Sequence, residues 1–354
     1  MVKAVVIGYG YMGKIRCRNV EELESLVLAG VCDPHLSAEQ IDANCPHFKD
    51  FREAIEYVRP DIVFVCTPNL YAPQICTYAL ERGCHVFCEK PPGCNVADVQ
   101  RIIVAEKAHP KAKVMFGFNH RHHPAILEAK SIVDGQRMGR VMWLHGVYGK
   151  SGGQGRAFEE SWRNDPVISG GGILLDQGIH MLDLFRFFCG DFQEVQAMLA
   201  TAYWNVPVED NAFVTLRNSK GQIAQLHSSA TLWKHTFRLH IGMEEGYLIA
   251  QGLLSQSGSY GREQLIIGRK PRADEPHLAL GNPKEEVVYF DKDLSWTLQV
   301  QELVKCIQED LPVIDSSTQD ALRVMEIVEV AYKQAGVKYD ANSVAVSEAE
   351  RGAE

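Results

Sequence analysis

The feature that most constrains this chain is Gly8-Tyr9-Gly10-Tyr11-Met12-Gly13. It directly follows the apolar run 4–7 (AVVI) and opens an amphipathic stretch, so a strand must turn sharply into a helix there. Twenty residues past Gly13, just after the next apolar run, stands Asp33. On its own the glycine pattern is a weak signal, but between strand and helix it fits a dinucleotide-binding turn. The glycines permit a tight turn and close backbone approach, and the pyrophosphate then lies on the helix N-terminus. Asp33 is placed to accept hydrogen bonds from the adenosine ribose. A carboxylate there repels a 2′-phosphate, and Pro34-His35-Leu36-Ser37 supplies no Arg or Lys, which favours NAD over NADP. His35 alone in that stretch could serve a phosphate, if protonated.

The first third keeps one rhythm. Runs 28–32, 61–66, 85–89 and 113–118 are almost continuously apolar, as parallel strands covered on both faces must be. Helix-like stretches at 12–26, 37–44, 50–58, 71–82 and 95–108 lie between the runs. The alternation predicts a parallel α/β sheet with right-handed crossovers over residues 1–120. Past residue 140 the pattern changes. A Gly-rich stretch (149–172) leads to one helical segment (173–188). Alternating segments at 192–204, 210–217, 221–232, 236–241, 245–250 and 263–268 then predict a mostly antiparallel sheet. Helical patterns at 294–309 and 317–335 close the chain. A length of 354 residues suits two domains. We expect an α/β domain to residue 120, an α+β domain over 121–340, and a frayed tail at 341–354.

Cys88-Glu89-Lys90-Pro91-Pro92 follows the fourth run, at the carboxyl edge where open α/β sheets bind ligands. GYGYMG, then Cys66-Thr67-Pro68-Asn69, then Cys88-Glu89-Lys90-Pro91, then GGGILLDQGIH at 170–180 occur in that order along nearly the whole chain. With these motifs the sequence resembles the glucose–fructose oxidoreductase / inositol dehydrogenase (Gfo/Idh/MocA) family. The Glu-Lys-Pro turn together with Asp-x-x-x-His is the most diagnostic part. The resemblance implies a Rossmann domain joined to an open-faced, mostly antiparallel sheet domain. It implies NAD(P) in the first, a polyol-type substrate between them, and catalysis by Lys90, Asp176 and His180. The expected cofactor-binding set is Gly8, Gly10, Tyr11, Met12, Gly13, Asp33, Thr67, Pro68, Asn69, Glu89 and Lys90.

The chemistry supports those roles independently. Oxidising a CH–OH group removes a hydride and a proton, and the proton needs a base. Histidine, with an ordinary pKa of about 6.5, suits that task, so His180 is assigned as base. Asp176 lies four residues earlier, on the same helical face, and is assigned to substrate positioning. Lys90 would polarise the substrate oxygen and relay the proton. The bland alternatives are an exposed aspartate–histidine pair on a helix and a surface lysine beside two prolines. Arg121, Trp162 and Arg163 are further substrate-binding candidates, with ordinary surface roles as their alternative. Gly170-Gly171-Gly172 fits either a close approach to ligand or a plain helix-entry loop.

Other features narrow the class. Lys and Arg number 36 against 45 Asp and Glu, a net charge of −9, which argues against nucleic-acid or anionic-membrane partners. No run approaches a membrane span, and residues 1–13 do not read as a signal peptide. We expect a cytoplasmic protein with reduced thiols. Ten cysteines in 354 residues fall short of a disulfide scaffold. His120, His122 and His123 beside Arg121 suggest a metal cluster at first sight, but adjacent side chains point apart and no metal is expected. The apolar runs 212–216 and 222–227 on an open sheet would favour a homodimer or homotetramer through the second domain.

The motifs therefore lead to an oxidoreductase moving a hydride between a nicotinamide and a secondary hydroxyl or ketone of a sugar or cyclitol. A nucleotide-linked sugar such as a UDP-hexosamine is an alternative substrate. The rival classes are a non-catalytic NAD-binding regulator and an NAD-dependent glycosidase.

Overall fold

A computed structural model describes residues 1–152, 156–255, 257–272, 274–275 and 278–337. The expected tail at 341–354 and part of the Gly-rich stretch lie outside the described residues. Six strands form the first sheet: β1 (Val2–Ile7), β2 (Leu26–Cys32), β3 (His47–Phe48), β4 (Ile62–Val65), β5 (His85–Cys88) and β6 (Val114–Phe116). All pairings in it are parallel, in the order β3-β2-β1-β4-β5-β6. The order reverses beside β1, and a crevice opens there at the carboxyl ends. This is the expected Rossmann arrangement.

Helices α1 (Tyr11–Glu22), α2 (Phe51–Val58), α3 (Ala72–Glu81) and α4 (Val96–Ala108) cross between these strands. Asp50 caps α2 by accepting the Arg52 and Glu53 N–H groups, and Asn95 caps α4 through the Asp98 N–H. The helix expected at 37–44 shrinks to a 3₁₀ turn at Ala38–Gln40. From there irregular backbone leads to β3, which pairs with β2.

The second sheet has eight strands: β7 (Val141–Gly149), β8 (Glu194–Ala200), β9 (Asn211–Arg217), β10 (Ile223–Ser229), β11 (Thr236–Met243), β12 (Gly246–Gln251), β13 (Glu263–Arg269) and β14 (Glu285–Phe290). Their order is β14-β13-β12-β11-β7-β10-β9-β8, with β7 and β10 parallel and the other pairs antiparallel. Strands β7 and β14 were not evident from hydropathy, and β7 is central. Its side chains Met142 and Trp143 are exposed, which breaks the alternation that marks a strand.

Helix α5 (Pro124–Asp134), short helices α6 (Arg156–Glu159) and α7 (Pro166–Ser169), helix α8 (Ile179–Cys189), short α9 (Leu278–Gly281), α10 (Ser295–Gln308) and α11 (Thr318–Gln334) complete the described elements. Helices α5, α8 and α11 cover one face of the eight-stranded sheet. On the other face Met198 is 79% exposed and Phe213 49%. The first sheet ends at Phe116 and the second begins at Val141, but the helices are not divided in the same way. Val300, Leu303 and Val304 of α10 pack with Ala4, Val6, Val20 and Phe64, so a helix from the far end of the chain covers one face of the nucleotide-binding sheet. Helix α11, begun by a Ser317–Asp320 capping box, lies against both α4 and α8.

Candidate active site

Two cavities adjoin at the carboxyl edge of the first sheet. The outer one, about 540 Å³, is bordered by Gly8, Gly10, Asp33 and Pro68. Its walls explain the glycines. Gly8 has φ +89°, and a Cβ there would lie 2.6 Å from the Cys66 carbonyl oxygen; at Gly13 it would lie 1.9 Å from that of Gly8. At Gly10 a Cβ would meet nothing within 4 Å, so that backbone faces open space. Helix α1 has no side-chain N-cap and no acidic residue in its first turn, leaving its N–H groups free for an anion. The residues present fit a dinucleotide.

Asp33 borders this cavity, as expected, while accepting the Tyr9 N–H at 2.9 Å and the His35 N–H at 3.0 Å. The loop is not as poor in cations as residues 34–37 imply. Lys49, fifteen residues beyond Pro34, borders the same cavity and donates to the carbonyls of Pro34 and Leu36. Only the fold brings it there.

The inner cavity, about 490 Å³, shares Tyr11, Met12, Cys66, Thr67, Trp162 and Arg163 with the outer one. The Thr67 hydroxyl is buried with no hydrogen-bond partner among the described residues, at the junction where a ligand would pass. Asn69 borders only the inner cavity, and its amide donates to the Ser169 carbonyl at 2.6 Å. Lys90 and Asp176 line the inner cavity and face one another. The Lys90 ammonium lies 3.6 Å from the Asp176 carboxylate and also donates to its backbone carbonyl. Lys150 and Arg163 approach the same carboxylate at 3.5 Å. Burial pushes the Asp176 carboxyl up, but these three cations outweigh it and hold it below the usual range. Burial lowers the Lys90 ammonium, with Asp176 opposing.

Glu89 borders the inner cavity but is not free to bind cofactor. Its carboxylate meets the fully buried Arg16 of α1 at 2.6 Å. Arg16 in turn donates to Gln299 and to the Trp296 carbonyl of α10. Glu89 therefore fixes the turn that presents Lys90. Arg121 is a correction. Its guanidinium is 4% exposed and grips Asp183 of α8 at 2.7 and 2.8 Å, with Asp315 and Asp320 close by. It is a buried fastening between elements and is not among the residues of either cavity. Of the three glycines at 170–172, Gly172 borders the inner cavity, and all three are closely approached by other parts of the chain. A Cβ at Gly171 would meet the Tyr332 hydroxyl at 2.1 Å, and at Gly172 the Glu209 carbonyl at 2.2 Å. The close approach is to the chain itself.

The expected single helix at 173–188 starts as a π-helical turn, Leu174–Gly178, before α8. Such wide turns occur often at functional sites. Asp176 lies in it and lines the cavity. His180, in the first turn of α8, is 5% exposed and does not line the cavity wall. Its ring stacks on His120, with centroids 3.7 Å apart and planes 23° from parallel. Burial, then the charges of Lys90 and His123, pushes the His180 imidazole well below its ordinary value, so it is neutral at neutral pH.

The three clustered histidines face three ways: His120 to His180, His122 towards Glu302 at 3.6 Å, and His123 to Glu263 at 2.8 Å. Sequence reasoning missed Lys150 and Tyr148, both bordering the inner cavity; a single tyrosine in an unrecognised strand, or a lysine just after it, carries no pattern. All ten cysteines are free, and burial pushes the Cys17 and Cys32 thiols up to about 12, so they act as small hydrophobes.

Comparison with known proteins identifies both halves of the chain. Residues 2–118 match the model of the oxidoreductase family with an NAD-binding Rossmann fold, and residues 126–249 match the GFO/IDH/MocA C-terminal domain. D-glucoside 3-dehydrogenase from Escherichia coli (strain K12) is 28% identical over 263 residues, 68% of this chain and 71% of that protein. Levoglucosan dehydrogenase from Pseudarthrobacter phenanthrenivorans is 30% identical over 175 residues, 49% of this chain and 45% of that one. A solved structure of levoglucosan dehydrogenase in complex with NADH and levoglucosan superposes with a TM-score of 0.81 at 21% identity, covering 95% of this chain and 97% of that one. With both domains matched in order, the chain belongs to the Gfo/Idh/MocA family of oxidoreductases.

Proposed function

We propose that this protein interconverts a secondary hydroxyl and a ketone on a sugar or cyclitol ring, with NAD as the preferred cofactor. The observation that carries this reading is the meeting of Lys90 and Asp176 on the wall of the inner cavity, next to the cavity that fits a dinucleotide. When bound, the nicotinamide supplies the acceptor or donor of the hydride. Lys90 contributes a positive charge where alkoxide character develops on the substrate oxygen. Asp176, kept ionised by its three cations, accepts hydrogen bonds from ring hydroxyls and so selects which carbon is presented. His180, neutral behind them, takes the hydroxyl proton through Lys90. The names of the matched dehydrogenases, acting on glucosides and levoglucosan, support a ring polyol as substrate.

The test is a panel of pyranoses, anhydrosugars and inositols with NAD or NADP, followed by nicotinamide absorbance. Turnover of ring polyols supports the reading. NADH binding without turnover across the panel would favour a regulator, and glycoside cleavage without net NADH a glycosidase. A nucleotide-linked sugar is the second reading. Arg121 no longer supports it, but Arg163 borders both cavities, and UDP-hexosamines belong in the same panel. NAD preference rests on Asp33. Asp33→Ser is expected to narrow the NAD-to-NADP ratio of kcat/KM by about tenfold, with Lys49 nearby to meet a phosphate. Exposed Met198 and Phe213 support association of two or four copies through the open sheet face; light scattering at a single-chain mass would count against it.

A further inference from the structure

His120 and His180 form the closest ring pair among the described residues, and nothing in the proposed chemistry accounts for it. A histidine that acts as a base is usually held by a hydrogen bond at its other ring nitrogen, which fixes tautomer and ring plane. Here the Nδ1 atoms of both rings are buried with no hydrogen-bond partner among the described residues. A ring without that bond can turn about its Cβ–Cγ axis unless packing prevents it. His120 lies flat against it. Tyr148, Phe237 and His123 pack edge-on around His120 with centroids 5.1–5.6 Å away, so His120 is itself braced by three further rings.

The supporting turn is fastened on both sides. Arg121, the next residue, binds Asp183 through two hydrogen bonds, and Asp183 lies three residues past His180 on α8. Asn119 donates to the Ser295 hydroxyl at the start of α10, and His123 meets the buried Glu263 of β13. Consecutive residues of one short turn, Asn119–His122, thus grip α8 at adjacent positions on one face, one by charge and one by stacking.

We propose that His120 is a positioning residue for His180, its ring fixing the plane of the His180 imidazole in place of a hydrogen bond at Nδ1. The inference rests on the proposed role of His180 as base. It predicts that the plane of the His120 ring matters and its nitrogens do not. His120→Phe keeps a flat ring in the same space, and His120→Leu keeps comparable volume without one.

Steady-state kinetics on a turned-over polyol should show kcat falling by about tenfold to a hundredfold in His120→Leu, as expected for a misplaced catalytic group. KM for NAD should stay near the parent value, and His120→Phe should recover most of the rate. A merely structural role would lower the melting temperature without this split or this rescue. Ring-carbon NMR of the NADH-bound protein gives a second readout that does not need turnover. The His180 Cε1–H signal should stay single in the parent and in His120→Phe, and broaden or split in His120→Leu. Unchanged kcat with an unchanged His180 signal in His120→Leu would overturn the proposal, as would His120→Phe losing as much rate as His120→Leu. If the parent turns over no polyol, the base assignment fails, while the NMR comparison still decides whether the ring is held by the stack.

Discussion

The two cavities are built in opposite ways. The outer one is lined chiefly by loops at one edge of the first sheet, and the backbone of the Gly8–Gly13 turn shapes it. Gly8, Gly10 and Gly13 shape it because their missing side chains let the Gly8 carbonyl, the Cys66 carbonyl and the start of α1 come close together. The inner one is made of side chains from distant segments: Lys90 after β5, Lys150 after β7, Arg163 in a 3₁₀ turn, and Asp176 in the π turn before α8. Buried ion pairs brace two of those segments, Arg16 with Glu89 beside Lys90, and Arg121 with Asp183 on the helix that follows Asp176. A backbone site can be lost by adding one methyl group, whereas a side-chain site can be silenced with its shape intact.

That contrast can be broken most sharply at Lys90. Lys90→Met should lower kcat by at least about a thousandfold, since charge stabilisation and proton transfer are both removed. NADH affinity, read by fluorescence titration, should change little, and His180→Ala should behave similarly. Near-normal turnover in either variant would refute the assignment. Arg121→Leu tests whether this residue fastens the fold or touches substrate. Losing it strands Asp183 in the core and should cost about 3–5 kcal/mol in denaturant unfolding. A variant of unchanged stability with a raised substrate KM would restore the substrate-binding role.

Gly13→Val should weaken NADH binding by about a hundredfold, since its Cβ would press on the Gly8 carbonyl and open the turn. The substrate cavity, probed by the melting-temperature shift that a polyol produces, should persist. Acid sharpens the contrast more gently. Burial holds His120 and His180 well below their ordinary value. Below about pH 6.5 the unfolded chain takes up protons there that the folded chain refuses, so stability falls as pH drops. Each ring contributes up to about 1.4 kcal/mol per pH unit between that point and its folded-state value. The acidic limb of kcat/KM should likewise lie below 6.5, because the base is already neutral there.

The same division explains what could be read from the residues alone. The glycine turn, Asp33 and the parallel strands were legible because each depends on neighbours in sequence. Lys90, Asp176 and His180 were legible through motif spacing, yet the π turn beneath Asp176 was not, since nothing in LLDQG differs from an ordinary helix. Arg121 looked like a ligand-binding residue because a lone arginine after a strand gives no hint of a carboxylate sixty-two positions away. Lys49 and Lys150 escaped for the same reason. Strand β14 escaped because Glu285, Glu286, Val287 and Tyr289 are exposed on an edge with little to bury.

Helix α10 carries a consequence for how the molecule is made. Val300, Leu303 and Val304 close one face of the first sheet, the Gln299 amide donates to the Phe116 carbonyl, and the Ser316 carbonyl accepts the Phe116 N–H on the outer strand. A ribosome that has delivered the first 120 residues has released all six strands of that sheet but not the helix that shields them. The nucleotide-binding half is thus translated first and completed last. Through most of synthesis it carries an uncovered apolar face and an unpaired strand edge, so chains that stall before residue 300 should be the ones that aggregate or need a chaperone.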